Sequence, residues 1–245
     1  FSQSCKDYTF IENLYKFILV QRNSFIFESV EKGKIRGRYT IIGFNPDKIY
    51  NINKNKVVID SFNNKKIIKT NTLQYLNDLI KNFKVKSSNK LPNMSSMLVG
   101  YFSYDIIRLI ERIPDKCKKD ISIPDIRLMR PKNLIIYDNL KKKIFFIQNV
   151  FKDEIIKNYE LKYSLISKSF KEFQNFGKIK LPEHFHKNLK SSVIKSNITK
   201  KKFKNNVLKA KKYIKKGDIF QVVLSQRFES KIEKPPLEIY NSLRI

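Results

Sequence analysis

Six glycines in 245 residues leave no cluster to cradle a phosphate, and no Gly-rich phosphate loop occurs. The two cysteines, Cys5 and Cys117, stand alone without metal spacing, which argues against a disulfide framework and for free thiols in a reduced compartment. The only histidines are His184 and His186. Alternate positions on a strand could share a metal ion, but no Cys or carboxylate cluster completes a ligand set, and no Ser-His-Asp arrangement can be drawn from them. Carboxylates are scarce, 22 against 51 cationic side chains, and no spaced pair stands out for acid-base work. No apolar run approaches the ~18 residues of a membrane span, and no signal peptide is evident, so the expectation is a cytoplasmic protein.

What is abundant is lysine. The formal net charge is +29, a value that invites a nucleic-acid reading. Only 9 of the 51 basic residues are Arg, however, leaving 42 Lys, and bidentate recognition of phosphates and base edges favours Arg. The lysines are spread from Lys6 to Lys234 among many Asn and Ile, the pattern of AT-rich codon drift rather than of a binding stripe. No specific nucleic-acid partner is expected, and no membrane.

Periodicity alternates between 3.6 and 2 along the chain. Residues 9–20 read as a helix with Phe10, Leu14, Phe17 and Ile18 on its inner face. Residues 25–30 and 39–44 read as strands joined by a turn around Gly33. A hairpin over 48–53 and 56–62 and a further strand over 65–70 follow. Residues 72–83 return to helix, with Leu73, Leu76, Leu79, Ile80 and Phe83 facing inward. Residues 84–93 form a polar loop, 97–104 a buried strand, 105–111 a short helix and 113–124 an irregular Pro-marked stretch. A hairpin spans 127–137 and 143–150, and a long helix spans 153–176 up to Gly177. After a polar connection, residues 199–216 form a second long helix with Phe203, Val207, Ala210 and Ile214 on its buried stripe, closed by Gly217. Leu237, Tyr240 and Leu243 mark a last helix. The sum is an α+β fold of largely antiparallel sheets packed with helices. The chain opens on Phe1 and stops inside that last helix, which reads as a fragment, with domains over 1–177 and 199–245 and a connection over 178–198.

Two stretches carry candidate chemistry. Residues 219–228 read as a strand with Phe220, Val222, Leu224, Gln226 and Phe228 on one side and Ile219, Gln221, Val223, Ser225 and Arg227 on the other. The amide, hydroxyl and guanidinium of the second set suit a strand lining a polar cavity. They equally suit a half-exposed strand with a solvated face. Glu28-Ser29 ends the apolar run Phe25-Ile26-Phe27 with an acceptor beside a hydroxyl. Such a pair could hold an ammonium or amide group of a small ligand, or could simply meet solvent at a strand end.

Four blocks, in order, resemble anthranilate synthase component I, a family of chorismate-utilising enzymes. They are Phe27-Glu28-Ser29-Val30-Glu31-Lys32-Gly33 with Gly37-Arg38-Tyr39-Thr40-Ile41-Ile42-Gly43; Gly100-Tyr101-Phe102-Ser103-Tyr104-Asp105 with Arg108 and Glu111; Ser196-Asn197-Ile198-Thr199; and the run from Lys211 through Gly217-Asp218-Ile219-Phe220-Gln221-Val222-Val223-Leu224-Ser225-Gln226-Arg227-Phe228. Ser103 stands where the family usually has Gly.

The resemblance implies conversion of chorismate and ammonia to anthranilate and pyruvate, with Mg²⁺ on the substrate carboxylate and a glutamine amidotransferase partner supplying ammonia. It implies feedback inhibition by tryptophan, with Glu28 and Ser29 as effector-site candidates and Arg38 and Tyr39 as weaker ones. It makes Gln221 a wall of the active site. Related isochorismate synthases carry a Lys there as general base for water, whereas an amide cannot take a proton and suits ammonia as nucleophile. No metal ligand and no complete catalytic set is expected in this chain, because the family holds both in its second half. The rival readings are aminodeoxychorismate synthase component I, which makes the para isomer for folate, and a non-enzymatic basic binding module.

Overall fold

Two long strands, β3 (Tyr39–Asn53) and β7 (Ile126–Asp138), pair antiparallel along nearly their whole length and form the spine of the first of two compact units, Phe1–Leu181 and Pro182–Ile245. The computed structural model describes residues 1–18, 21–28, 37–61, 64–83, 89–116, 121–151, 159–176, 193–232 and 234–243.

Each half of the spine recruits its own neighbours. At one end β2 (Phe25–Phe27) pairs with β3, while β8 (Lys143–Gln148) pairs with β7 and carries β1 (Ser2–Ser4) on its far edge. At the other end β4 (Lys56–Ser61) and β5 (Asn64–Lys69) extend from β3, and β6 (Val99–Phe102) pairs with β7. Every pairing is antiparallel, as the α+β expectation requires. Hairpin chemistry is local: Lys54 takes φ 50° in the β3–β4 turn and Lys142 φ 49° in the β7–β8 turn.

The sequence splits β3 into two strands, but the chain runs through as one. A bulge between Pro46 and Lys48 absorbs the irregularity, with Asn45 at φ 51° and Pro46, which has no N–H to donate, at the break in register. The extra residue reverses the alternation of β3. Thr40, Ile42 and Phe44 face α1 (Tyr8–Ile18) and α3 (Tyr159–Phe176) before it. After it, Tyr50 and Ile52 face α2 (Thr72–Asn82) on the opposite side of the sheet. Asp47, in the bulge, grips Arg130 through both carboxylate oxygens, one at 2.8 Å from Nε, and the guanidinium lies 3.9 Å from the centre of the Phe151 ring.

The cores follow from this. On the α2 side Tyr50, Ile52, Val57, Ile126 and Leu128 pack against Tyr75, Leu76 and Leu79, while Ile41, Leu134, Ile136 and Phe145 pack against Leu91, Met94 and Met97. On the other side Ile11, Leu14, Tyr15 and Ile18 of α1 are fully buried. The stripe of α1 is thus one residue round from the one read in sequence: Ile11 and Tyr15 take the inner places, and Phe10 is only half-buried. In α2 the inward residues are Tyr75, Leu76 and Leu79, and Leu73 and Ile80 face solvent. The helix is set by its Asn71 cap, whose Oδ1 accepts from Gln74 N, and its mixed face lets the sheet choose the side.

β6 is not the buried strand expected over 97–104. It is an edge strand paired to β7 alone, so only Val99 is buried and Phe102 and Tyr104 are exposed. The helix expected over 105–111 is a 3₁₀ turn, Tyr104–Leu109. Gly100 is forced by proximity, because a Cβ there would sit 1.8 Å from the Arg127 carbonyl oxygen.

The second unit holds α4 (Lys200–Lys215), α5 (Pro236–Leu243) and a two-residue ladder of β9 (Lys195–Ser196) with β10 (Phe228–Glu229). Thr199 caps α4 by accepting from Lys202 N at 3.2 Å, and Gly217 ends it at φ 79°. The long strand expected over 219–228 does not form. Only Phe228 reaches a partner strand, the preceding residues have no ladder to join, and Phe220 is 98% exposed. The stripe of α4 is half-buried at Phe203, Val207 and Ala210, and Ile214 is exposed; Leu243 of α5 is exposed too. Among the described residues no helix is long and apolar enough to cross a membrane.

Candidate functional site

Glu28 sits just past β2, where the register Phe27↔Ile41 places it opposite Thr40. From α1, Tyr8 reaches over both: its hydroxyl hydrogen-bonds the Glu28 carboxylate and lies 3.3 Å from Thr40 Oγ1. The Tyr8 ring packs on Tyr137, 5.7 Å between centres, and the Tyr137 hydroxyl donates to the Cys5 carbonyl. A half-buried carboxylate is thereby fixed at the junction of α1, β2 and β3. It is a group suited to accept from an ammonium. Ser29, its partner in the sequence reading, lies outside the described residues.

Arg38 and Tyr39 lie at the start of β3, and the alternation turns Tyr39 to the opposite face from Thr40. Tyr39 packs against the buried cluster of Ile41, Leu134, Ile136 and Phe145, as do Leu91 and Met94. Arg38 stacks over the Tyr39 ring at 4.8 Å and makes a bidentate ion pair with Asp138, Nε to Oδ1 at 3.0 Å and Nη2 to Oδ2 at 2.7 Å. Asp138 Oδ1 also accepts from the backbone of Leu140 and Lys141, which closes the β7–β8 turn. Burial pushes the Asp138 carboxyl up, but Arg38 and these two N–H groups outweigh it and hold the group below the usual carboxylate range. Arg38 is raised in turn by its hydrogen bond to Asp138. Arg38 is therefore first a strut of the fold. Beside it, a cleft of about 210 Å³ is lined by Arg38, Tyr39, Leu91, Met94, Lys141 and Phe145. The three described candidates thus do not share one pocket: Glu28 belongs to the α1 face and the Arg38–Tyr39 cleft to the other.

In the second unit two blocks noted in the sequence meet. Ser196 Oγ accepts from Gln226 Nε2 at 2.6 Å, Asn197 Oδ1 accepts from Arg227 N at 3.0 Å, and Asn197 N donates to Arg227 O at 3.1 Å. Gln221 is exposed on an extended stretch with no regular structure.

The described residues gather no metal-binding cluster. No group of three or more His, Cys, Asp or Glu side chains comes together among the described residues, and His184, His186 and Cys117 lie outside them. Cys5 is a buried free thiol, pushed up by burial and by the nearby Asp7 carboxylate. Tyr8, Thr40 and Asp138 were not legible as site residues. Only the pairing of β2 with β3 would have pointed to Thr40, and nothing in sequence links Tyr8 to Glu28.

Comparison with known proteins gives the geometry its context. A family model described as "chorismate binding enzyme" matches residues 22–245. Anthranilate synthase component 1 of Acetivibrio thermocellus is 35% identical over 227 residues, covering 90% of this chain and 46% of that protein. Anthranilate synthase alpha subunit 2 of Arabidopsis thaliana is 31% identical over 241 residues, covering 91% and 39%. The crystal structure of anthranilate synthase component I from Streptococcus pneumoniae TIGR4 superposes with a TM-score of 0.69 at 26% identity, over 94% of this chain and 49% of that one. The chain spans less than half the length of these relatives. With the match running through both units, from before β2 to beyond α5, the chain belongs to the chorismate-binding enzyme family.

Proposed function

We propose that this chain supplies the regulatory portion and the opening of the catalytic portion of an anthranilate synthase component I. That enzyme adds ammonia to chorismate and eliminates pyruvate, committing chorismate to tryptophan synthesis in the cytoplasm. The observation that carries the reading is the match to anthranilate synthase component 1 proteins over nine-tenths of the chain. Residues 1–177 are the regulatory domain, 178–198 the connection and 199–245 the start of the chorismate-binding domain. A glutamine amidotransferase delivers the ammonia. Mg²⁺ would be held by carboxylates other than those described here, since these form no cluster that fits it.

In the regulatory domain, the Glu28 carboxylate accepts from the α-ammonium of tryptophan, with Ser29 next to it in sequence; Arg38 and Tyr39, on the opposite face of β3, contribute only through the fold they hold in place. The rigid hold of Tyr8 on Glu28 supports this, because a preorganised acceptor loses less entropy on binding. In the catalytic portion, Gln221 bears on the choice of nucleophile.

The test is the chain joined to its downstream reading frame and supplied with chorismate, an ammonium salt and Mg²⁺. Fluorescent anthranilate is the expected product, inhibited by tryptophan in the parent and far less so in Glu28→Gln. Formation of 4-amino-4-deoxychorismate would assign the chain to the folate enzyme instead. The 245-residue chain alone is expected to form no anthranilate. Gln221→Lys is expected to lower ammonia-dependent turnover and admit water; unchanged turnover with unchanged nucleophile would remove Gln221 from the role.

A further inference from the structure

Two hydroxyls that no sequence motif links to Glu28 hold its carboxylate. Tyr8 stands on the first turn of α1 and Thr40 on β3, and the Tyr8 hydroxyl reaches both the Glu28 carboxylate and Thr40 Oγ1, the latter at 3.3 Å. The chemistry of the three groups sets the direction of the protons. A carboxylate only accepts, so the phenol donates to it; the phenol has one proton, so toward Thr40 it is the acceptor. The three side chains form a relay that runs from Thr40 Oγ1–H through the Tyr8 hydroxyl to Glu28 Oε1.

Both donors of the relay rest on fixed parts of the fold. Thr40 is 1% exposed and pairs with Tyr137 in the register of β3 with β7. The Tyr8 ring packs on that same Tyr137, whose hydroxyl donates to the Cys5 carbonyl at 3.2 Å. Cys5 N donates to Lys142 O at 2.8 Å, and Asp7 Oδ1 accepts from Thr9 N at 2.9 Å, so the chain entering α1 is tied to the sheet on one side of Tyr8 and turned into the helix on the other. Glu28 is placed differently, because it lies beyond the last β2–β3 pair, Phe27↔Ile41. The relay, rather than a strand ladder, sets the direction of its side chain. The core of α1 is made by Ile11, Leu14, Tyr15 and Ile18, and the Tyr8 hydroxyl lies outside it.

We infer that Tyr8 and Thr40 are positioning residues of the effector site, their relay holding the Glu28 carboxylate in the one orientation that accepts the ammonium group of the effector. The inference rests on the reading of Glu28 as the tryptophan acceptor and adds two residues to that site. Charge-assisted hydrogen bonds are strict in geometry, and a carboxylate oriented before the ligand arrives loses less rotamer freedom on binding. Loss of the relay should therefore weaken the effector and leave catalysis alone.

The test uses the chain joined to its downstream reading frame, making anthranilate from chorismate and an ammonium salt with Mg²⁺, titrated with tryptophan. Tyr8→Phe keeps the ring on Tyr137 and removes the hydroxyl; it should raise the half-inhibitory tryptophan concentration about fivefold, as loss of one net hydrogen bond would give. Thr40→Val should raise it by a smaller factor, and Thr40→Ser, which keeps the hydroxyl, should stay at the parent value. The kcat and the KM for chorismate should be unchanged in all three. Ile11→Val loosens the α1 core without touching the relay and should also be inhibited like the parent. The inference is overturned if Tyr8→Phe is inhibited like the parent while Glu28→Gln is not, if Thr40→Ser is as impaired as Thr40→Val, or if Ile11→Val matches the loss in Tyr8→Phe. A parent that tryptophan does not inhibit, or a Glu28→Gln enzyme inhibited like the parent, would instead remove the effector-site assignment itself, and the relay's role with it. Should Tyr8→Phe fail to fold, the comparison of Thr40→Val with Thr40→Ser decides.

Discussion

Asp138 shows how a single side chain can serve sheet, turn and surface at once. Its side chain is 3% exposed and accepts from Arg38 and from two backbone N–H groups. Because its folded pKa lies below the ordinary carboxylate value of about 4, the stabilisation is fully present above that pH and is lost as pH falls through the lower folded value. Urea titrations of the parent from neutral pH downward should show stability falling on the acid side. Asp138→Asn should be less stable at neutral pH and show a flatter acid limb; parallel profiles would mean that this carboxylate does not drive the acid response. Gly100 makes a second prediction, since a methyl group there meets backbone rather than a flexible side chain. Gly100→Ala should cost about 1–3 kcal/mol through displacement of β6 or β7, read as a lower urea midpoint. Neither residue could be ranked from sequence. Gly100 was visible as part of a family block and Asp138 as lying between the two strands of the 127–150 hairpin, but the approach of Arg127 and the reach of Arg38 across 100 positions are tertiary facts.

At the scale of elements, local signals held where one residue sets a boundary and failed where a neighbour sets the face. The hairpin turns at Lys54 and Lys142, the cap at Thr199 and the stop at Gly217 all lie where turn and cap chemistry put them. The inner faces of α1 and α2 were read only in part: Leu14, Ile18, Leu76 and Leu79 face inward as expected, but both helices carry apolar residues over roughly half their circumference, and the sheet, not the helix, selects which of the rest are covered. The stretch 219–228 has strand composition but pairs only at its end, because strand formation needs a ladder as well as a pattern. Helix α4, with no buried residue, should depend on its ends more than a core helix does. Thr199→Ala should therefore lower helicity measured by circular dichroism, at a local cost of about 1 kcal/mol. An unchanged spectrum and melting curve would show that the helix is held by something other than its cap.

Across the whole molecule, burial is uneven. Every buried residue among those described lies between Cys5 and Phe151, in the first unit, and the second has none. Native-state hydrogen exchange should accordingly find the slowest amides in β3 and β7 and much faster exchange in α4 and α5. Equal protection in both units would contradict this ordering. The α+β class was legible because hairpin spacing and helical periodicity are local properties. The long-range partnering of β3 with β7 was not, because it joins strands distant in sequence.

That partnering has a consequence for the chain as it is made. Tyr39 pairs with Asp138, 99 positions later, and Ile52 with Ile126, 74 positions later. At about 5–20 residues per second, a ribosome leaves the apolar run Ile41-Ile42-Gly43-Phe44 without its β7 partner for roughly 5–20 s. For that interval the run that will become the spine of the finished protein is an unpaired apolar segment, and this is the step at which crowded synthesis would go astray.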